Sequence, residues 1–320
     1  MQNQKERVLI TGGTGFAGSH LAELLAQSPE KYELHLTHIT SVPTSLRELL
    51  PTALFHEIDL TDLVAVRSLI TEVNPTQIYQ LASIPVVGDS FARATDIFQA
   101  NTAVIHNLLE VVREIVPLAR ILVVTSAEVY GISISPKELP ISEDHALRPV
   151  NPYGISKVTQ DLLTDCYRRA FGLQLIRVRP FNHIGERQQV GFAISGFARQ
   201  IVAIERGEAT ELHVGNLTSQ RDFTDVKDVV RGYQLLLEKG IVGEVYNLGT
   251  GTALSMQSVV DQLCSYSTAP IEVVQEESRL RPSDIPIMQA DASKARELGW
   301  QAKIPLSDTL QRILGYWRSL

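Results

Sequence analysis

"VLITGGTGFAGSHLAELL" occupies residues 8–25, and its reading decides the fold. An apolar run that reads as a strand leads into Gly12, Gly15 and Gly18, and apolar residues at helical spacing follow at once. Glycines at that spacing permit a tight turn and let backbone N–H groups approach a pyrophosphate. The N-terminus of the next helix then favours the negative charge. A glycine pattern alone is a weak sign, but one set between a strand and a helix at the head of an alternating series is a strong one. Gly12, Gly15, Phe16 and Gly18 are the first candidate cofactor-binding residues.

The alternation runs through the first 180 residues. "RVLIT" (7–11), "ELHLTHI" (33–39), "LFHEIDL" (54–60), "QIYQLAS" (77–83), "RILVVTS" (120–126) and "LQLIRVRP" (173–180) read as strands. Segments such as 62–73 and 101–115 between them carry apolar residues at helical spacing. Alternating elements with near-continuous apolar strands predict an α/β protein of the Rossmann type, a doubly wound parallel sheet buried on both faces. After Pro180 the rhythm breaks, and "EVYNLGT" (244–250) reads as a late return to the sheet. The expected division is a dinucleotide-binding domain of residues 1–178 plus about 222–250, with a smaller C-terminal α/β substrate lobe of about 179–221 and 251–320.

Composition limits the partners. The 320 residues carry a net charge of −7, which argues against a nucleic-acid partner, since that needs a basic face. No apolar run reaches the 18 residues of a membrane span and no signal peptide is read at the start, so a cytoplasmic location is expected. Cys166 and Cys264 form no metal-ligand pattern and read as reduced core thiols; no metal site is expected.

The adenosine end of the cofactor is less plainly written. An acid ending the second strand holds the ribose of NAD, and a basic residue there meets the phosphate of NADP. "LTHITSVPTS" (36–45) offers neither, and Thr37, His38 and Ser41 suit either form. The cofactor is thus NADP or NAD, with NADPH favoured. Asp59, followed by Leu60, is placed to accept from the adenine amino group or to serve as a helix N-terminal acid.

Tyr153 and Lys157 in "NPYGISK" (151–157) stand one helical turn apart and share a face. A nearby ammonium lowers the pKa of a phenol, which can then exchange a proton with a sugar oxygen near neutral pH. Ser126 in "TSAEVYG" (125–131) sits at the carboxyl end of the fifth strand, the edge where open α/β sheets bind ligands. Pro149 and Pro152 suit the entry to a helix. Arg221 and Arg281 lie in two later loops, and converging guanidinium groups suit a pyrophosphate.

These stretches, with "YQLAS" (79–83), "RPFNHIG" (179–185), "RDFTDVKDVV" (221–230) and "RPSDIP" (281–286), resemble the extended short-chain dehydrogenases/reductases acting on nucleotide-diphosphate sugars, over nearly the whole chain. The resemblance implies a Ser126–Tyr153–Lys157 triad, with Lys157 also holding the nicotinamide ribose. It implies cofactor contacts at Leu81 and Ala82, and a role for Asn101 in positioning the lysine; the other reading of Asn101 is a core asparagine capping its own backbone. It places Asn182 and the two arginines at the sugar diphosphate, and implies a homodimer formed through two helices per subunit. "FNHIG", "VGNLTSQRDFTDVKDVV" and "LRPSDIPIMQAD" most resemble members that act on GDP sugars. The implied reaction is NAD(P)H-dependent reduction of the C4 ketone of GDP-4-dehydro-6-deoxy-D-mannose to GDP-D-rhamnose. Glu128 matches the position of the base in 4,6-dehydratases, but Ala127 stands where those relatives carry Asp or Ser. GDP-mannose dehydration, C4 epimerisation with retained NAD, and a non-catalytic dinucleotide-binding regulator are the alternatives.

Overall fold

The computed structural model describes residues 5–85, 90–132, 136–279 and 285–320. The first half winds as β1 (Glu6–Thr11), α1 (Phe16–Leu25), β2 (Tyr32–His38), α2 (Thr44–Leu49), β3 (Leu54–Glu57), α3 (Leu63–Val73), β4 (Gln77–Gln80), α4 (Ala94–Ile115), β5 (Arg120–Val124), α5 (Pro152–Phe171) and β6 (Gln174–Pro180). With β10 (Val245–Leu248) these strands form one seven-stranded sheet in the order β10-β6-β5-β4-β1-β2-β3. Every pairing in it is parallel. The strand order reverses between β1 and β4, and the crevice at such a point is where doubly wound sheets take their ligands.

Both faces are covered. Val226, Val229, Val230, Tyr233, Leu236 and Leu237 make one apolar stripe of α7 (Val226–Lys239), which packs with α1 on one face. Val66, Leu69, Ile70 and Val73 do the same for α3, which shares the opposite face with α4. Fully burying each such side chain stabilises the fold by about 1.5–3 kcal/mol. The helix ends follow local chemistry. Asp62 caps α3 by accepting from Val64 N and Ala65 N, and left-handed Asn74 closes it. Asn151 caps α5, Pro152 occupies its first turn, and left-handed Gly172 ends it.

The remaining strands form small sheets. β9 (Gln220–Asp225) pairs with β7 (Asn182–Ile184), β11 (Ala253–Ser255) and β13 (Ile287–Met288), while β8 (Glu211–Val214) pairs with β12 (Glu272–Gln275). A separate apolar core lies between α6 (Ala193–Glu205), α8 (Met256–Ser265) and α10 (Leu306–Arg318). The parallel ladder stops earlier than the apolar runs suggest, at Glu57, Gln80, Val124 and Leu248. The residues beyond those points, Asp59, Leu81, Ala82 and Ser126 among them, leave the sheet at its carboxyl edge. Among the described helices none is long and apolar enough to cross a membrane. Cys166 is exposed and Cys264 half-buried, so the expectation of two core thiols fails. Cys166 lies on the outward face of α5, where the helix turns away from the sheet.

Candidate active site

β1 delivers the first part of the site. Gly12 has a left-handed φ of +65°, and a Cβ there would come within 3.0 Å of Ala82 Cα in the chain leaving β4. A Cβ at Gly18 would collide with the Gly12 carbonyl, so the glycine permits the close approach of α1 to the turn. At Gly15 it would meet only the Gly12 carbonyl, at 3.2 Å. Gly15 is the N-cap of α1 and supplies no side-chain cap, and the first turn holds no acid. The first N–H groups of α1 therefore carry a favourable dipole with no side chain of the cap satisfying them. That cradle fits a pyrophosphate. Thr11, which sequence reasoning passed over, ties the two sides of the crevice together. Its hydroxyl accepts from Leu81 N and Ala82 N, both at 3.1 Å, and donates to Gln80 Oε1.

The adenosine side differs from expectation at two positions. Thr37 is buried, and its Oγ1 accepts from Gly12 N at 3.0 Å. It supports the glycine turn, which leaves His38, buried at the end of β2, and exposed Ser41 of the three residues expected there. Asp59 is not the helix cap, a place taken by Asp62; its Oδ1 accepts from Thr61 N at 2.9 Å and Thr61 Oγ1 at 2.7 Å. Leu60 is buried, and Asn107 Nδ2 holds its carbonyl at 3.1 Å.

The catalytic candidates meet where β5 ends and α5 begins. Ser126 leads a short turn of 127–129 and its Oγ accepts from Glu128 N at 3.2 Å. The Glu128 carboxylate accepts from Asn151 Nδ2 at 2.9 Å, while Asn151 Oδ1 accepts from Gly154 N at 2.7 Å. One asparagine thus caps α5 and ties it to the Ser126–Glu128 turn. A Cβ at Gly154 would lie 2.9 Å from the Glu128 carbonyl, so the residue after Tyr153 has to be small for the two to approach.

Tyr153 is buried and hydrogen-bonded to Ser126. Lys157 Nζ lies 5.7 Å from the Tyr153 ring centroid and donates to Gln160 Oε1 at 3.0 Å, Ser83 Oγ at 3.1 Å and the Val124 carbonyl at 3.3 Å. Burial lowers the Lys157 ammonium to about 7. Burial also pushes the Tyr153 phenol up; the Ser126 hydrogen bond opposes this and the Glu128 charge adds to it. Desolvation penalises the charged form of both groups.

Asn101 is fully buried, and its side-chain hydrogen bonds run to other segments rather than to its own backbone. Its side chain accepts from Ile84 N at 2.7 Å and donates to Ile84 O and Ser156 Oγ, fixing the chain after β4 to α5. Its carbonyl accepts from Gln160 Nε2 at 2.9 Å, and Gln160 in turn receives Lys157. The lysine is reached through the Asn101 backbone and Gln160, one helical turn beyond Lys157, a spacing that could have revealed Gln160.

The residues expected at the sugar diphosphate are less assembled. Asn182 is exposed at the start of β7, in register with Phe223 of β9. Arg221 lies in strand β9 rather than in the loop expected for it, two residues before Phe223 on the same face, and its Nη1 donates to the carbonyls of Ile285 (2.6 Å) and Gln220 (2.9 Å). Arg281 lies outside the described residues.

A glycine turn at the switch point of a doubly wound sheet, with serine, tyrosine and lysine converging at its carboxyl edge, defines an enzyme of the extended short-chain dehydrogenase/reductase class. The model of the family described as GDP-mannose 4,6 dehydratase matches residues 9–313, and the chain belongs to that family. The chain is 30% identical over 316 residues to the GDP-6-deoxy-D-mannose reductase of Pseudomonas aeruginosa, covering 98% of each chain. It is 29% identical over 334 residues to the GDP-mannose 4,6-dehydratase of Sinorhizobium fredii, covering 94% of this chain and 93% of that one. Among solved structures, RMD from Pseudomonas aeruginosa complexed with NADPH superposes with a TM-score of 0.86 at 28% identity, covering 98% of this chain and 99% of that one.

Proposed function

We propose that this enzyme reduces the C4 ketone of GDP-4-dehydro-6-deoxy-D-mannose, giving GDP-D-rhamnose, with NADPH as the preferred reductant. The observation that carries the reading is a buried Tyr153 hydrogen-bonded to Ser126, with Lys157 Nζ 5.7 Å from its ring centroid. The full-length likeness to a GDP-6-deoxy-D-mannose reductase supports the sugar. The likeness to a structure holding NADPH, and the lack of any acid from Thr37 to Leu46, support the cofactor.

The bound nicotinamide supplies the hydride. Ser126 polarises the ketone by donating to its oxygen, and Tyr153 gives its phenolic proton to the developing alkoxide. Lys157 stabilises the phenolate left behind, and its Gln160 and Ser83 contacts keep the ammonium aimed. Glu128, anchored by Asn151, accepts a hydrogen bond from a sugar hydroxyl. Gly12, Gly15, Phe16 and Gly18, with Asp59 to Leu60 and Leu81 to Ala82, hold the dinucleotide against the large sheet. Asn182, Arg221 and Arg281 hold the sugar diphosphate on the side of residues about 179–221 and 251–320.

Anaerobic incubation with the 4-keto sugar nucleotide and NADPH tests this: stoichiometric cofactor oxidation with GDP-D-rhamnose seen by NMR is expected. No oxidation, with a 4-keto product formed from GDP-mannose, would establish the second reading, a dehydratase with Glu128 as base. That reading draws on the charge of Glu128 beside Tyr153 and on the Sinorhizobium relative. A homodimer through α4 and α5 completes the proposal. Phe98, Ile155, Leu162 and Phe171 are exposed apolar residues on these two packed helices, and a second copy would cover them. A monomeric mass in solution would contradict it.

A further inference from the structure

Three residues on one face of α1 do work that the glycine turn does not require. Phe16, His20 and Glu23 are spaced i, i+4 and i+7, and all three meet the segment that follows β7 or β7 itself. The Phe16 ring lies parallel to His183, with an interplanar angle of 3° and centroids 5.7 Å apart, and meets His20 edge-on. His20 is buried; its Nε2 bonds the Glu186 carbonyl at 3.0 Å and its Nδ1 bonds Arg187 Nη2 at 2.7 Å. A guanidinium only donates, so Nδ1 accepts and the ring is neutral with its proton on Nε2. Arg187 Nη2 also donates to Glu23 Oε2 at 2.7 Å.

This clamp is held at local cost. Arg187 adopts a left-handed φ of +69°, which a non-glycine residue seldom takes, and its buried Nε has no hydrogen-bond partner among the described residues. Such costs persist where the surroundings over-determine the geometry, and they gather at functional sites. The other side of the segment is pinned too, since Glu186 Oε1 accepts from Lys227 at 3.0 Å and Arg312 at 3.1 Å. The segment begins at Asn182 and His183, and α1 begins at the proposed pyrophosphate cradle.

We propose that the Phe16–His20–Glu23 face of α1 couples dinucleotide binding to sugar-nucleotide binding, with Arg187 as the positioning residue. The proposal rests on the reading that the dinucleotide sits at Gly12–Gly18 and the sugar diphosphate near Asn182. A pyrophosphate on the first turn of α1 orders Phe16, and Phe16 orders His183 beside Asn182. The second ligand then meets a segment already fixed and loses less conformational entropy. Linkage requires the effect to be reciprocal.

Calorimetric titration of the full chain with GDP, in the presence and absence of saturating NADPH, tests it. GDP is expected to bind at least about 5-fold tighter with NADPH present, and NADPH to gain the same factor from GDP. Arg187→Gly removes the guanidinium while keeping a residue that adopts the left-handed turn without steric cost. In that variant the factor is expected to fall to about 1 while NADPH alone binds as in the wild type. Glu23→Gln, on the half-buried rim, is expected to lower the factor in the same direction. Equal GDP affinity with and without NADPH in the wild type would overturn the coupling alone, as would an undiminished factor in both variants. Failure of the wild type to bind either ligand would overturn the functional reading and the coupling with it.

Discussion

The two walls of the cleft are built differently. On the α5 wall, Ser126, Glu128, Tyr153 and Lys157 come from two short segments, and Asn151 joins them by bonds of 2.7 and 2.9 Å. On the β9 wall, Asn182 and Arg221 come from separate passes of the chain: Arg221 donates to Ile285 O, and the segment after β7 is pinned through Glu186 and Arg187 by Lys227, Arg312 and α1. Proton transfer needs donor and acceptor fixed to within a few tenths of an ångström, which regular elements supply. On the function proposed above, recognition of the sugar nucleotide falls to the second wall, where sequence changes would alter the ligand and leave the chemistry in place. Relatives of one fold that reduce, dehydrate or epimerise are what such a division permits.

If the division is right, damage to the α5 wall should fall on turnover. Tyr153→Phe removes the proton donor, and kcat should fall about 10²–10⁴-fold in steady-state assays while cofactor affinity stays close to wild type. Wild-type turnover would break the comparison outright. Asp161 tests what the wall stands on. It is fully buried, accepts from Arg179 at 2.8 and 3.0 Å and from Arg177 at 3.0 Å, and Arg179 reaches on to the Tyr130 hydroxyl. Asp161→Asn leaves the buried Arg179 without its counter-charge, while Arg177 keeps Asp165 at 3.5 Å, and should cost about 3–5 kcal/mol, read from urea unfolding.

Lys157 gives a pH signature. Its folded pKa of about 7 lies below the ordinary 10.5, so between these values the unfolded chain binds more protons than the folded one. Stability should therefore rise with pH above about 7, by up to about 1.4 kcal/mol per pH unit, and Lys157→Met should flatten that rise. Urea midpoints at pH 7, 8 and 9 would show it; equal slopes in the two proteins would remove the lowered lysine pKa from the account. The smallest effect is expected at Asn151→Ala, where the lost cap should cost about 1 kcal/mol of stability. The same change releases Glu128 and should raise KM for the sugar nucleotide more than it lowers kcat. A fall in kcat alone would move Glu128 from substrate binding to the chemistry.

Much of the α5 wall was legible because its signals are local. A strand-end serine, a Tyr–Lys pair at helical spacing and a glycine turn each fit inside one element and its cap. The strands of the large sheet and its doubly wound class were legible from the alternation of strand and helix patterns along the chain. What escaped depends on contacts between residues far apart in the chain. Thr37 supports Gly12 from 25 positions away, and His20 meets Arg187 from 167. No periodicity encodes either. Helical spacing likewise shows that an ammonium stands near a phenol but not how deeply the two groups are buried, which long-range packing decides.

The most direct test of the central claim follows the hydrogen itself. With NADPH deuterated at the transferred position of C4 and the 4-keto GDP sugar, the account predicts one deuterium at the sugar's C4 for each cofactor oxidised. Deuterium that never reaches C4, or product that forms without net oxidation of the cofactor, would contradict a reductase acting through Ser126, Tyr153 and Lys157.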